Sequence, residues 1–189
     1  MRLVLVRHGE TVQNSQGICQ GQSEGQLSAQ GMEQAKRLGS YLKDRQIDAI
    51  YSSDLARAVD TAEAIRRFHD GLGLKLDSRL RERYFGDLEG KVNPITDWNN
   101  LPEYVETDQQ LYDRAVSFLE DTLEIHEDDT IVAVSHGGMK RAFYTLLHDL
   151  PVSSYNAWEH IKNTSVSEFD IKKDNVYKVH SLNRVDHLY

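Results

Sequence analysis

Cysteine, proline and long apolar runs are scarce in this chain, and each scarcity closes off a class of protein. The 189 residues hold one cysteine, Cys19, and three prolines. A single thiol forms no intrachain disulfide, and a reducing compartment suits it better than an oxidising one. A chain of this length buries roughly 70% of the surface its unfolded form exposes, enough to fold without disulfides or a structural metal. The first apolar run, Leu3 to Val6, stops at Arg7-His8, short of the ~7–15 residues of a signal-peptide core. No later run approaches the ~20 needed to cross a bilayer. The expectation is a cytoplasmic protein with no membrane contact.

Positive charge is the other shortage. Lys and Arg number 22 against 30 Asp and Glu, a formal net charge of −8. That balance argues against nucleic acid as a partner, since phosphate backbones need a basic face. A phosphate handled by this protein must be met by a local cluster of cations, because the overall field repels it.

What is present is an alternation of apolar strands and amphipathic helices. Leu3-Val4-Leu5-Val6, Ile47 to Tyr51, Leu74-Lys75-Leu76 and Thr130 to Val134 read as short strands, the first and last apolar on both faces. Ser28 to Arg45 reads as a helix capped by Ser28 and buried through Met32, Ala35, Leu38, Tyr41 and Leu42. Asp54 to Phe68, Leu111 to Ile125 and a segment opened by Gly137-Gly138 repeat the helical period. Val166 to Ile171 and Val176 to Leu182 suggest a closing antiparallel pair with Lys173-Asp174-Asn175 at its turn. The pattern implies an α/β fold, a mostly parallel sheet with helices on both faces. One domain over residues 1–189 is expected, as monomer or homodimer. Tyr84 to Asp108, with Gly86, Gly90, Pro94 and Pro102 and no sustained period, is a loop-rich excursion, and connections of that length are usually functional.

Two of the clearest strands end in histidine, Val6-Arg7-His8-Gly9 and Val134-Ser135-His136-Gly137-Gly138. In open α/β sheets ligands bind beyond the carboxyl ends of the strands. If these two strands are parallel neighbours, His8 and His136 meet at one edge beside Arg7. A third strand ends Tyr51-Ser52-Ser53 and feeds a helix whose first turn carries Arg57. Such a cationic spot suits a phosphoryl group, which carries about −1.5 to −2 charges and pairs with planar Arg donors. For Arg57 the bland alternative is a pair with Asp54 or Asp60 on its own helix. The histidines at 69, 126, 148, 160, 180 and 187 show no metal-ligand spacing and read as surface or packing residues.

Leu5-Val6-Arg7-His8-Gly9-Glu10-Thr11 resembles the Arg-His-Gly signature of the histidine phosphatase superfamily, the phosphoglycerate-mutase-like family. Asn14, Ser52-Ser53-Asp54-Leu55-Ala56-Arg57-Ala58, Leu80-Arg81-Glu82-Arg83-Tyr84-Phe85-Gly86 and Ser135-His136-Gly137-Gly138 follow in the family's order, so the resemblance spans essentially the whole chain. It implies that family's three-layer α/β sandwich and a nucleophilic His8 that becomes phosphohistidine. It also implies a phosphate pocket of Arg7, Arg57, His136 and Asn14, with Glu82 as proton donor to the leaving group; the bland alternatives are Asn14 merely capping a turn and Glu10 or Glu89 in place of Glu82 at the mouth. Thr11, Gln22, Gly137 and Trp98 complete the expected substrate-binding set. Neither metal nor cofactor is required by this scheme.

The implied chemistry is consistent with the residue types. A neutral imidazole is a good nucleophile near pH 7 when its other nitrogen is tied to an acceptor, most simply a backbone carbonyl. One carboxyl can protonate the departing alcohol and then activate water. The implied activity is hydrolysis of small phosphate esters; the alternatives are a phosphoglycerate mutase and a non-catalytic regulatory member. The mutases this chain resembles carry a longer basic insertion. Here the excursion offers only Lys91 against Asp97, Glu103 and Glu106, which disfavours polyanionic substrates, with Trp98 and Tyr104 as apolar walls. The sequence departs from the family at Gln22 to Ser28, where relatives often carry Asp and Pro before the Leu; that loop borders the mouth.

Overall fold

The strands sort their apolar residues onto the two faces of one sheet. The computed structural model describes residues 1–98, 100–173 and 177–189. Strands β1 (Arg2–Arg7), β2 (Ala49–Ser52), β3 (Leu74–Leu76), β4 (Thr130–Ser135), β5 (Val166–Ile171) and β6 (Tyr177–Arg184) lie in the order β3-β2-β4-β1-β5-β6. The first four in that order are mutually parallel; β5 is antiparallel to both β1 and β6. Side chains alternate along a strand. Leu3 and Leu5 therefore enter one core with Ala115, Phe118 and Phe143, while Val4 and Val6 enter the other with Leu38, Leu42, Ala58 and Ile65. Coverage of both faces is why the β1 and β4 sequences are unbroken apolar runs.

Helices α1 (Val12–Ser15), α2 (Ala29–Leu42), α3 (Ala56–Arg66), α4 (Asp108–Ile125) and α5 (Gly137–Leu147) connect the strands. Helices α2 and α3 cover one face, and α4 and α5 the other. Ser28 caps α2 as expected, its side chain accepting from Gly31 N. Met32 and Tyr41 do not join the buried stripe of α2 and are 58% and 42% exposed. The stripe runs instead through Gly31, Ala35, Leu38, Gly39 and Leu42. At Gly39 the neighbouring helix comes so close that an added Cβ would stand 2.2 Å from Ala64 O. Helices α2 and α3 stop at Leu42 and Arg66, short of Arg45 and Phe68. Helix α4 begins at Asp108 rather than Leu111, because Thr107 and Gln110 form a capping box.

The polar run after β1 contains α1, and the excursion after Tyr84 contains a 3-10 turn at Gly86–Leu88 and a bridge from Val92 to Ile18. In the turn expected at Lys173-Asp174-Asn175, residues 174 and 175 lie outside the described residues, as does Val176. No described helix is long and apolar enough to cross a membrane.

Candidate active site

Strands β1 and β4 pair in parallel with Arg7 beside Ser135, so the residues that follow emerge together at the carboxyl edge. His8 N donates to Ser135 O at 2.9 Å. The rings of His8 and His136 lie 5.0 Å apart, centroid to centroid. On the other side of β4, β2 delivers Ser53 and then Arg57 in the first turn of α3. Beyond these strand ends is a cavity of about 430 Å³, whose wall includes Arg7, His8, Asn14, Arg57, Glu82 and Gly137. His136, wholly buried, lies against the His8 ring beneath that wall.

Both histidines are neutral at pH 7. Burial, then the charges of Arg7 and Arg57, hold His8 well below the ordinary imidazole range. Burial, then Arg57, His8 and Arg7, do the same for His136. His8 Nδ1 lies 2.7 Å from Gly9 O, a carbonyl that can only accept, so the proton sits on Nδ1 and the lone pair on Nε2. His136 Nε2 lies 2.8 Å from Ser53 Oγ, which accepts from Leu55 N at 3.3 Å and can donate its own proton to that ring nitrogen; in that arrangement the ring N–H is on Nδ1.

The arginines are held by carbonyls rather than carboxylates. Arg57 donates to Gly21 O at 2.6 Å and Ser23 O at 3.0 Å, while Asp54 pairs with Arg81 instead. Arg7 donates to Ile161 O. Burial, with Arg57 and Arg141 adding to it against the opposing pull of Glu82, lowers Arg7 to about 10, so it stays charged at neutral pH. Arg7 Nε, Arg57 Nε and His136 Nδ1 are buried with no hydrogen-bond partner among the described residues. Buried polar atoms are nearly always paired; these three, and Arg83 Nε with them, belong to residues on or next to the cavity wall. Asn14 does cap its own turn with Thr11, and its Oδ1 also accepts from Asn163, which leaves the amide NH₂ for a ligand.

Glu82 reaches the cavity from the segment after the 3-10 turn at Ser78–Leu80. Its Oε1 accepts from Arg83 N at 2.8 Å and its Oε2 from Gly138 N at 3.0 Å. A Cβ at Gly138 would stand 2.2 Å from Glu82 Oε1, so only glycine leaves room for the carboxylate at this helix start. The rival carboxylates are used elsewhere: Glu10 accepts from Ser28 Oγ, and Glu89 from the backbone of Gln22 and Phe85. Among the described residues no three His, Cys, Asp or Glu side chains gather to hold a metal ion.

The family model of the histidine phosphatase superfamily (branch 1) matches residues 3–184. The chain belongs to that superfamily. Phosphoglycerate mutase-like protein 4 of Arabidopsis thaliana is 34% identical over 203 residues, covering 98% of this chain and 86% of the relative. A metal-independent phosphoserine phosphatase of the same plant is 33% identical over 202 residues, covering 98% and 82%. The structure of Bacillus stearothermophilus YhfR superposes with a TM-score of 0.92 at 28% identity, covering 100% of this chain and 99% of that one. The mostly parallel sheet clad in helices is thus the histidine phosphatase fold, as the motifs imply.

Other expected residues fall on either side of the wall. Trp98 lines the cavity and meets Phe85 edge-on at 6.2 Å. Tyr104 does not; it packs over Gly86, beside a separate groove. Thr11 and Gln22 also stand behind the wall. Thr11 Oγ1 accepts from Asn14 N and Gln20 Nε2, and Gln22 Nε2 donates to the Glu82 carbonyl. The excursion contributes Phe85, Asn93, Pro94, Ile95 and Trp98 to the cavity and none of Lys91, Asp97, Glu103 or Glu106. Its acidic side chains therefore act on a bound anion only from beyond the wall, as charges and not as contacts.

The sequence reading misses Arg141, Tyr155 and His160, all on the wall. Arg141 had a signal: it follows Gly137 by one helical turn and so shares its face. Among the described residues it has no carboxylate partner. His160, which reads as a surface or packing residue, is indeed exposed and at the same time lines the cavity wall; partial burial, then Arg7 and Arg141, lower it, and no local pattern marks it for the cavity.

Proposed function

We propose that this chain is a phosphomonoesterase that hydrolyses small phosphorylated metabolites through a phosphohistidine at His8, without a metal ion. The observation that carries the reading is the set of unpartnered buried nitrogens on Arg7, Arg57 and His136, grouped around a neutral His8 whose Nε2 holds the lone pair. In this reading Nε2 attacks phosphorus while the bond to the leaving oxygen breaks, and Glu82 gives that oxygen a proton. Water then attacks the phosphohistidine, Glu82 takes its proton back, and phosphate leaves with His8 restored. Arg7, Arg57, Asn14 and His136 meet the charge on the equatorial oxygens, the role that positioned donors play in phosphoryl transfer. Ile95 and Trp98 offer the leaving group an apolar wall. The phosphatase names among the relatives support hydrolysis.

The test is phosphate release in excess EDTA from 3-phosphoglycerate, sugar phosphates, nucleotides and an aryl phosphate. Wild type turns over and His8→Ala does not, while circular dichroism shows the variant folded; turnover by the variant removes His8 as nucleophile. A second reading, mutase activity, draws on Arg141, a cation on the cavity wall that a second anionic group could reach. Label exchange between phosphoglycerates without phosphate release would favour it.

A further inference from the structure

Glu82 is steered by the peptide bond that follows it. The carbonyl of that peptide accepts from Gln22 Nε2 at 3.1 Å and Arg114 Nη2 at 3.2 Å, and its N–H, on Arg83, donates to Glu82 Oε1 at 2.8 Å. A peptide is planar and stiff, so whatever grips its oxygen aims its hydrogen. Arg114 Nη1 also donates to the carbonyls of Arg79 at 2.9 Å and Arg81 at 2.8 Å. One guanidinium on α4 thus gathers the carbonyls of Arg79, Arg81 and Glu82. It is itself fixed by a two-point pair with Glu106, 2.7 Å at each oxygen, and Glu106 Oε2 accepts in addition from Tyr84 N at 2.9 Å. A planar fork with five N–H donors serves all these acceptors at once; an ammonium does not.

Arg114 is absent from the cavity wall and lines the groove behind it, with Gln22, Arg81 and Tyr104. It makes no contact with the cavity, so it acts on the reaction only through other residues: through the Glu82 peptide that it grips and, as the last and smallest influence on His136, through its charge. The carboxyl has two anchors, Arg83 N on its own segment and Gly138 N on α5. Rotation of the Glu82–Arg83 peptide would release the first and let the carboxyl turn about the second, away from the leaving oxygen. Misplacement of about 1 Å costs on the order of 10²-fold in rate.

We propose that Arg114, with Gln22 as its partner on the same carbonyl, is a positioning residue that sets the Glu82 carboxyl through the Glu82–Arg83 peptide. The inference rests on Glu82 being the proton donor, and its test separates the two claims. The measurement is kcat/KM for an alkyl ester, glycerol 3-phosphate, and an aryl ester, 4-nitrophenyl phosphate, whose leaving group needs little protonation. Glu82→Gln should lose ~10²–10⁴-fold on the alkyl ester and about tenfold or less on the aryl ester. Arg114→Lys keeps the charge opposite Glu106 but not the fork, and should lose on the order of 10²-fold on the alkyl ester and little on the aryl ester. Gln22→Ala, on a different loop, should show the same selectivity at roughly tenfold, and it decides the case if no Arg114 variant folds. An even loss on both esters, or none, in the variants that fold overturns the positioning role while Glu82→Gln remains selective. An even loss in Glu82→Gln overturns the proton-donor reading, and the inference falls with it.

Discussion

His8 and His136 are uncharged at neutral pH because burial and the neighbouring arginines oppose a third and fourth positive charge in one place. The sign of that shift sets a pH dependence. The nucleophilic form is the neutral one, and a lowered value keeps it populated as pH falls below the ordinary imidazole value of about 6.5. The acid limb of kcat/KM that belongs to His8 should therefore lie well below 6.5, once the substrate's own second ionisation near ~6 is divided out. A limb near ~6.5 that remains after that division, matched by an NMR titration of the His8 ring at the same pH, would show instead that the imidazole titrates like an exposed one. Lys140 shows the same environment one layer down. Its amine, wholly buried with no carboxylate among its bonds, is shared by the carbonyls of Leu5 and Ser165 and by Ser165 Oγ, and burial holds it well below the usual lysine range.

At the scale of elements, two glycines on helices give opposite predictions for the same substitution. A Cβ at Gly39 would meet the Ala64 carbonyl at 2.2 Å, and a backbone atom of α3 cannot step aside without moving the helix. Gly39→Ala should cost about 1–3 kcal/mol in urea unfolding, the range for overpacking, despite alanine's better helix propensity. A Cβ at Gly138 would meet the end of the Glu82 side chain at 2.2 Å, which can swing away, with Tyr155 Oη next at 2.9 Å. Gly138→Ala should leave the unfolding free energy within about 1 kcal/mol of wild type while depressing turnover of alkyl phosphates. A large stability loss there, with activity kept, would place Glu82 outside the chemistry. The contrast separates a glycine that lets two helices pack from one that leaves room for a carboxylate.

For the whole molecule, a net charge of −8 surrounds a pocket lined by Arg7, Arg57 and Arg141. Anion binding there has to come from short-range donors, so inorganic phosphate should stabilise the fold more than chloride at equal ionic strength. At 100 times its Kd, phosphate adds about 2.7 kcal/mol, a rise of roughly 5–10 °C in Tm for a chain of this size. His8→Ala should keep most of that rise, because the donors remain. Arg57→Met should lose most of it. Equal shifts in wild type and Arg57→Met would move phosphate binding away from this cavity.

Apolar period in the sequence marks the six strands and the four longer helices, since it reports whether one face or both are buried; the four-residue α1 carries no such period. The motifs Arg7-His8-Gly9, Arg57, Glu82 and His136-Gly137-Gly138, in order along the chain, mark the family. Less legible were features set by what lies across space. That β4 lies between β1 and β2, bringing His8, His136 and Arg57 to one edge, is visible only in the folded chain, because pairing is made between segments far apart in the sequence. Tertiary contacts also sent Asp54 to Arg81 and Glu106 to Arg114, turned Thr11 and Gln22 from the wall to its support, and brought Arg141 and His160 onto it. The proton states of both histidines belong to the same category. They depend on desolvation and on charges contributed by other elements, and a residue's neighbours in sequence do not specify its neighbours in space.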